Sequence, residues 1–149
     1  YAEAGFTLVS LAVATDVTSL ERTIQFIAKV RDYVCSHERL ILVRTVQDIY
    51  RAKAENKLAV TLLFQGTNPL AKDLAMVDLY YELGIRSMIL AYNIRNPFGD
   101  GCTEIKDGGI SRLGKRLIKK MNHVGMVIDC SHTGYLTSLD AMNLSERPV

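Results

Sequence analysis

The chain has 149 residues, of which 48% are hydrophobic and 23% are charged, the composition of a globular domain with its own core. Its net charge of +2 is too small to argue for a nucleic-acid partner. No apolar run reaches the about 18 residues that a transmembrane segment needs. Three widely spaced cysteines without a CxxC motif favour reduced thiols and a cytoplasmic location over a disulfide framework or a zinc knuckle.

The first predicted unit is a strand followed by a helix. Residues 6–14 are apolar and β-branched, which predicts a buried strand. Apolar residues at helical spacing predict a helix over residues 20–34. Asp16, Thr18 and Ser19 are its candidate N-caps.

A short extended run and a second helix come next. Residues 40–43 form the run, and Thr45 caps the helix with Asp48 within reach of a capping box. Residues 58–64 then predict a strand that is apolar on both faces. Strands of this kind belong to parallel sheets covered by helices.

The middle of the chain repeats the pattern. Residues 65–69 form a turn-rich loop directly after the third strand. A helix is predicted over residues 70–83, with Gly84 as the residue that stops it. Residues 85–91 predict the next strand.

The last third contains a long loop and two further units. The loop covers residues 92–109 and is rich in glycine. A helix over 111–123, a strand over 124–130 and a helix over 135–144 follow it. We expect residues 148–149 to begin one more strand.

Strand and helix alternate throughout, and no hairpin signal joins two strands, which favours parallel βα units. The predicted fold is α/β, a partial (β/α)8 TIM barrel with about half of the barrel present in one domain, residues 1–149. We expect the other barrel strands to lie before Tyr1 and after Val149. A doubly wound open sheet is the rival topology, but residues 15–17 lack its Gly-rich phosphate turn.

Polar residues follow three of the predicted strands, and strand ends of a barrel converge on one mouth. His132 is the sharpest candidate, because imidazole is a common metal ligand; a histidine held by loop hydrogen bonds is the alternative. Asp129 is a candidate for the support of His132, for metal binding or for holding its own loop. Gln65 offers hydrogen bonds or a weak oxygen ligand.

Three further residues are candidates for substrate contact. Tyr92 and Asn93 lie at the end of a predicted strand, although a tyrosine there also suits the barrel rim. Arg95 is a candidate for pairing with a substrate carboxylate, since a guanidinium binds carboxylates through two parallel N–H groups, and a solvated loop arginine is the alternative. His37 and His123 are expected to be exposed or capping residues.

Several segments resemble the renal (membrane) dipeptidase family. The clearest is residues 121–132, MNHVGMVIDCSH, supported by residues 79–86, 90–93, 96–100 and 107–114. The resemblance implies an amidohydrolase-type barrel that uses one or two zinc ions to hydrolyse dipeptides. His132 matches the first of two late metal histidines of the family. The second would lie after Val149, the His-x-Asp pair before Tyr1, and the principal catalytic acid or base outside the chain.

Two positions depart from the main family pattern and resemble a bacterial branch of it. Gln65 stands where the family places a bridging glutamate, and Tyr92 stands where many members have a substrate-contacting histidine. A neutral amide does not offset the repulsion between two dications, so we expect one zinc ion and a doubtful second one.

The leading hypothesis is a metal-dependent dipeptidase that hydrolyses a dipeptide or a related small amide through a metal-activated water. One alternative is a non-catalytic or metal-poor binding protein on the same barrel, which Gln65 motivates. Another is an inactive fragment whose open sheet edges lead to a homodimer, aggregation or a partly molten state.

Overall fold

Five parallel strands form one sheet in the computed structural model, which describes residues 1–149 except for the side chain of Ala2. The strands are β1 (Leu8–Thr15), β2 (Leu40–Leu42), β3 (Leu58–Gln65), β4 (Ile85–Ile89) and β5 (Val127–Asp129). The helices are α1 (Leu20–Ser36), α2 (Val46–Ala54), α3 (Met76–Glu82), α4 (Arg112–Val124) and α5 (Tyr135–Leu144). Short 3-10 helices cover Ala2–Ala4 and Asn68–Leu70. No helix of this described part is long and apolar enough to cross a membrane.

The strands lie in the sheet in chain order, β1-β3-β4-β5, with β2 beside the first residues of β3. β1 pairs with β3 along its whole length, from Leu8 opposite Ala59 to Thr15 opposite Gln65. Every pairing is parallel. The predicted parallel βα architecture is therefore confirmed, and all strand C-terminal ends lie at one edge of the sheet.

The two faces of the sheet have different surroundings. Leu62 and Phe64 are fully buried in the main core, which α1, α3 and α4 cover. Gln65 lies on the opposite face, where α2 packs only near the start of β3. Leu8 on β1 and Val127 on β5 share this face by register and remain 38% and 52% exposed. This face is thus partly open within the chain.

The predicted helix over 70–83 is wrong in its first half. Ala71 and Lys72 have φ values of +50° and +63°, left-handed backbone that no α-helix continues. The Asp73 carboxylate then accepts a hydrogen bond from the Ala75 N–H at 2.9 Å. The helix therefore begins only at Met76.

The fourth and fifth strands are shorter than predicted. β4 ends at Ile89, where the backbone turns into the long loop. α4 runs on to Val124 and ends at Gly125, whose φ is +82°, so β5 begins only at Val127. Residues 148–149 form no strand within the described chain. In contrast, α5 matches its predicted bounds.

Candidate active site

The candidate site lies at the C-terminal edge of the sheet, where polar residues follow four strands. Asp16 follows β1, Gln65 ends β3, and Tyr92 with Asn93 lies beyond β4. His132 lies three residues beyond the end of β5. Because the strands are parallel, residues far apart in sequence meet at this edge.

The His132 ring is exposed and is held by its two neighbours from the loop after β4. Its Nδ1 lies 2.8 Å from Asn93 Oδ1. The ring stacks on Tyr92 with centroids 4.1 Å apart and an interplanar angle of 26°. The His132 carbonyl accepts hydrogen bonds from Asn93 N at 3.3 Å and Cys102 N at 2.9 Å. The two loops are therefore joined through both the backbone and the side chain of His132.

These contacts determine which ring nitrogen is free. A carbonyl oxygen accepts, so Nδ1 of His132 donates to Asn93, and the hydrogen sits on Nδ1. Nε2 then carries the lone pair, which is the form in which imidazole binds a metal. Asn93 itself has a φ of +64°, a left-handed conformation that asparagine adopts more readily than most residues.

Asp129 contacts the loop rather than the histidine ring. Its Oδ1 accepts a hydrogen bond from the Ser131 N–H at 2.8 Å, which tightens the turn leading to His132. The contact that orients the imidazole is made by Asn93. Asp129 thus holds its own loop. Support of His132 by Asp129, through that loop, stays a prediction.

Gln65 is the last residue of β3 and pairs with Thr15. Its side chain is partly exposed and makes no hydrogen bond to the described residues. It lies on the sheet face that is partly open. The amide oxygen is thus free to accept a bond from a ligand.

Arg95 is engaged within its own loop. Its Nε and Nη2 lie 2.6 Å and 2.8 Å from the two carboxylate oxygens of Asp100. Asp100 is buried, with 4% of its surface exposed, and also accepts from the Gly108 N–H at 2.7 Å. The Arg95 guanidinium, opposed by burial, lowers the pKa of Asp100. A role for Arg95 in substrate binding stays a prediction, because Asp100 already occupies the Nε and Nη2 groups of its guanidinium.

Asp16 was predicted as one of three candidate N-caps of α1, but Ser19 has that position. The Ser19 hydroxyl accepts from the Arg22 N–H at 3.3 Å. The Asp16 carboxylate instead bonds to the loops after β3 and β4. Its position directly after a predicted strand was the available signal, the same one that singled out Gln65 and Tyr92.

The other histidines lie away from this edge. His37 follows α1, and its Nδ1 accepts from the Arg39 N–H at 3.2 Å. His123 is exposed in the last turn of α4. Both match the predicted exposed or capping positions.

The donor set of the chain fits one side of a metal site. His132 presents a free imidazole nitrogen and Gln65 a free amide oxygen, both at the same edge of the sheet. Among the described residues, no three histidine, cysteine or acidic side chains come close enough together to hold a metal. A metal-binding role for His132 and Gln65 therefore stays a prediction.

Comparison with known proteins gives consistent relatives. An uncharacterized dipeptidase of Schizosaccharomyces pombe is 33% identical over 141 residues, which cover 91% of this chain and 34% of the relative. A dipeptidase of Clonostachys rogersoniana is 29% identical over 114 residues, or 75% of this chain and 29% of the relative. The chain therefore spans about a third of the length of these curated relatives.

Solved structures match over nearly the whole chain. An amidohydrolase from Pseudomonas aeruginosa is 30% identical with a TM-score of 0.94, over 99% of this chain and 45% of that one. A metallopeptidase from Rhodobacter sphaeroides is 20% identical with a TM-score of 0.79, over 87% and 39% of the two chains, and shows the shared fold. The α/β fold is therefore that of part of an amidohydrolase-type barrel.

The family assignment rests on the sequence itself. The family model for membrane dipeptidase, peptidase family M19, matches residues 4–149. This match includes both the strands and the loops that carry the candidate site. The chain belongs to the membrane dipeptidase family.

Proposed function

We propose that the complete protein carrying this chain is a metal-dependent dipeptidase that hydrolyses the peptide bond of a dipeptide or a related small amide. The observation that carries the proposal is the His132 ring, whose Nδ1 is held by Asn93 at 2.8 Å while Nε2 stays free. A free imidazole nitrogen at the C-terminal ends of parallel strands is suited to metal binding. Family membership supports amide hydrolysis as the reaction.

His132 would be the chain's principal metal ligand, through Nε2, with Gln65 as a weaker oxygen ligand. We propose zinc as the metal, and one ion rather than two, because the neutral amide of Gln65 does not offset the repulsion between two dications. The chemistry that zinc supplies in such sites is a lowered pKa of water, towards about 7, and polarisation of a carbonyl group. The remaining ligands and the principal acid or base would come from parts of the protein outside this sequence.

The chain's own residues would shape the substrate end of the pocket. The Tyr92 ring stacks on His132, and its hydroxyl bonds to none of the described residues, so it is free to contact a substrate. Asn93 orients His132, and its backbone lines the same edge. Arg95 would reach a substrate carboxylate only through the part of its guanidinium that Asp100 leaves free.

A second candidate is a binding protein on the same barrel that turns nothing over. Gln65 favours it, because an amide in place of a bridging carboxylate weakens metal binding. A cytoplasmic location and a homodimer remain predictions beside either function.

The test uses the complete protein, freed of metal by chelation and reloaded with zinc, against dipeptides of L,L and L,D configuration. The dipeptidase predicts hydrolysis that zinc restores and that His132→Ala abolishes, while His37→Ala, at an exposed histidine away from the site, retains it. Binding of dipeptides without turnover would favour the second candidate. If the protein takes up no metal and hydrolyses no dipeptide of the panel, both the site and the reaction are refuted.

A further inference from the structure

The Asp16 carboxylate joins the ends of three strands. Its Oδ1 accepts from the Thr67 N–H at 2.8 Å and the Asn68 N–H at 2.9 Å. Its Oδ2 accepts from the Tyr92 N–H and from Asn96 Nδ2, each at 3.1 Å. One side chain after β1 thus fixes both the loop after β3 and the loop after β4.

We propose that Asp16 is a positioning residue of the dipeptidase site, holding Gln65 and the Tyr92–His132 stack in their working arrangement. This inference rests on the proposed function. Asp16 acts through its neighbours, since each of its hydrogen bonds goes to protein groups.

The loop after β3 is built around this carboxylate. Gly66 has a φ of +134°, and a Cβ built on it would lie 2.3 Å from Asp16 Oδ1. The space that a side chain at residue 66 would need is therefore occupied by the carboxylate. The observed bond from the Thr67 N–H to Asp16 lies two residues after Gln65, so the carboxylate fixes the backbone directly after the end of β3.

The hydrogen bonds of Asp16 to the loop after β4 connect it to the proposed metal ligand His132. The Tyr92 N–H is anchored on Asp16 Oδ2, and the Tyr92 ring packs on His132 at 4.1 Å between centroids. Asn96 reinforces this branch, because its Nδ2 also donates to the Leu90 carbonyl at 2.8 Å. A shift of the Tyr92 backbone would therefore move the surface against which the imidazole rests.

The variant Asp16→Asn distinguishes the positioning role of Asp16 from simple packing. Asparagine has nearly the same shape as aspartate, but its NH2 group would face two of the four N–H groups from which Asp16 now accepts hydrogen bonds. Asp48 is the matched control, since its carboxylate accepts from the Arg44 and Thr45 N–H groups at 2.9 Å and 2.8 Å at the start of α2. Asp48 contacts no residue of the site.

The experiment compares Asp16→Asn and Asp48→Asn in the complete protein, measuring Co(II) affinity of the metal-free form, kcat, KM and melting temperature. We expect Asp16→Asn to weaken Co(II) binding and kcat/KM by about tenfold to a hundredfold, as loss of support around a ligand does. Asp48→Asn should stay within about twofold on both. Equal values for the two variants would overturn the positioning role and leave the proposed function standing.

A double-mutant cycle with Tyr92→Ala tests the route. If Asp16 acts through Tyr92 as well as through the loop that carries Gln65, Asp16→Asn should cost several-fold less Co(II) affinity in the Tyr92→Ala background than in the wild type, because coupled residues are not additive. Additive losses would show a merely structural effect and overturn the proposal.

A second pair of variants serves if Asp16→Asn does not fold. Gly66→Ala pushes a methyl group into the Asp16 carboxylate, whereas Gly84→Ala has a similar left-handed backbone, φ +105°, with no contact closer than 3.4 Å. We expect only Gly66→Ala to weaken Co(II) binding, and equal binding by the two would overturn the proposal.

Failure of the proposed function has its own signature. A wild-type protein that binds Co(II) without hydrolysing any dipeptide refutes the dipeptidase, while the Co(II) comparison still decides the role of Asp16. A wild-type protein that neither binds Co(II) nor hydrolyses dipeptides refutes both.

Discussion

Replacing Asn93 by glycine would remove the hydrogen bond that orients His132 while keeping the backbone. Asn93 has a φ of +64°, which glycine adopts without the strain that alanine would meet. The loss is the 2.8 Å bond to Nδ1 of His132, together with a weak 3.6 Å bond that Asn93 Oδ1 accepts from the Cys102 thiol. Removing such a partner of a metal-binding histidine costs about tenfold to a hundredfold in metal affinity, or about 1.4 to 2.7 kcal/mol. Asn93→Asp should restore or strengthen binding, because a carboxylate accepts the same bond more strongly.

The assay is a Zn(II) titration of the metal-free complete protein with a competing chelator. Asn56→Gly is the matched control, since Asn56 also has left-handed backbone, φ +53°, but lies between α2 and β3. We expect weaker zinc binding for Asn93→Gly alone. Zinc binding by Asn93→Gly as tight as that of Asn56→Gly and the wild type would show that the hydrogen bond to His132 does not support the metal site.

Three further outcomes follow from individual contacts. Gln65→Glu should raise zinc stoichiometry from one towards two per complete protein, measured by elemental analysis, and an unchanged value would contradict the role given to the amide. Asp100→Asn should lower the free energy of unfolding at pH 7, because a charge-assisted bond to the exposed Arg95 is lost. Arg95 lowers the pKa of Asp100 in the folded state. The stabilisation by Asp100 is therefore complete above the pKa of the unfolded state, about 3.9, and is lost as the pH falls through the lower pKa of the folded state. Denaturant titrations of the wild type and of Asp100→Asn should thus give the same free energy of unfolding in acid. The Tyr80 hydroxyl donates to the Pro69 carbonyl at 2.9 Å, so Tyr80→Phe should lower the free energy of unfolding by about 1 kcal/mol. Burial raises the pKa of Tyr80 to about 12. An absorbance titration should therefore show one tyrosine fewer that is still protonated at pH 11 in this variant.

The fold was predictable where local pattern and tertiary packing agree. α5 has its predicted bounds, and the strand–helix alternation gave the parallel sheet. The helix over 70–83 failed because its apolar spacing says nothing about backbone φ, and Ala71 and Lys72 turn left-handed after the 3-10 turn at Asn68–Leu70.

The position of the candidate residues at one edge of the sheet was predictable from the sequence, but their contacts were not. Strand-end position singled out His132 and Gln65 from the sequence. It left three roles open for Asp129, and the observed bond is the one that holds its own loop. The bond to His132 comes from Asn93, 39 residues away. Asp16 was interpreted only as a helix cap, although it also follows a predicted strand, because its partners lie 51 to 80 residues along the chain and the sequence does not show them.

We expect His132 to bind the metal of the complete protein through Nε2. Anomalous diffraction at the zinc edge, from crystals of the zinc-loaded complete protein, would locate the ion relative to this nitrogen. We expect one strong peak about 2.0 to 2.1 Å from Nε2, with Nδ1 still bonded to Asn93. A peak that lies elsewhere, or an imidazole turned away from a fully occupied zinc, would contradict it.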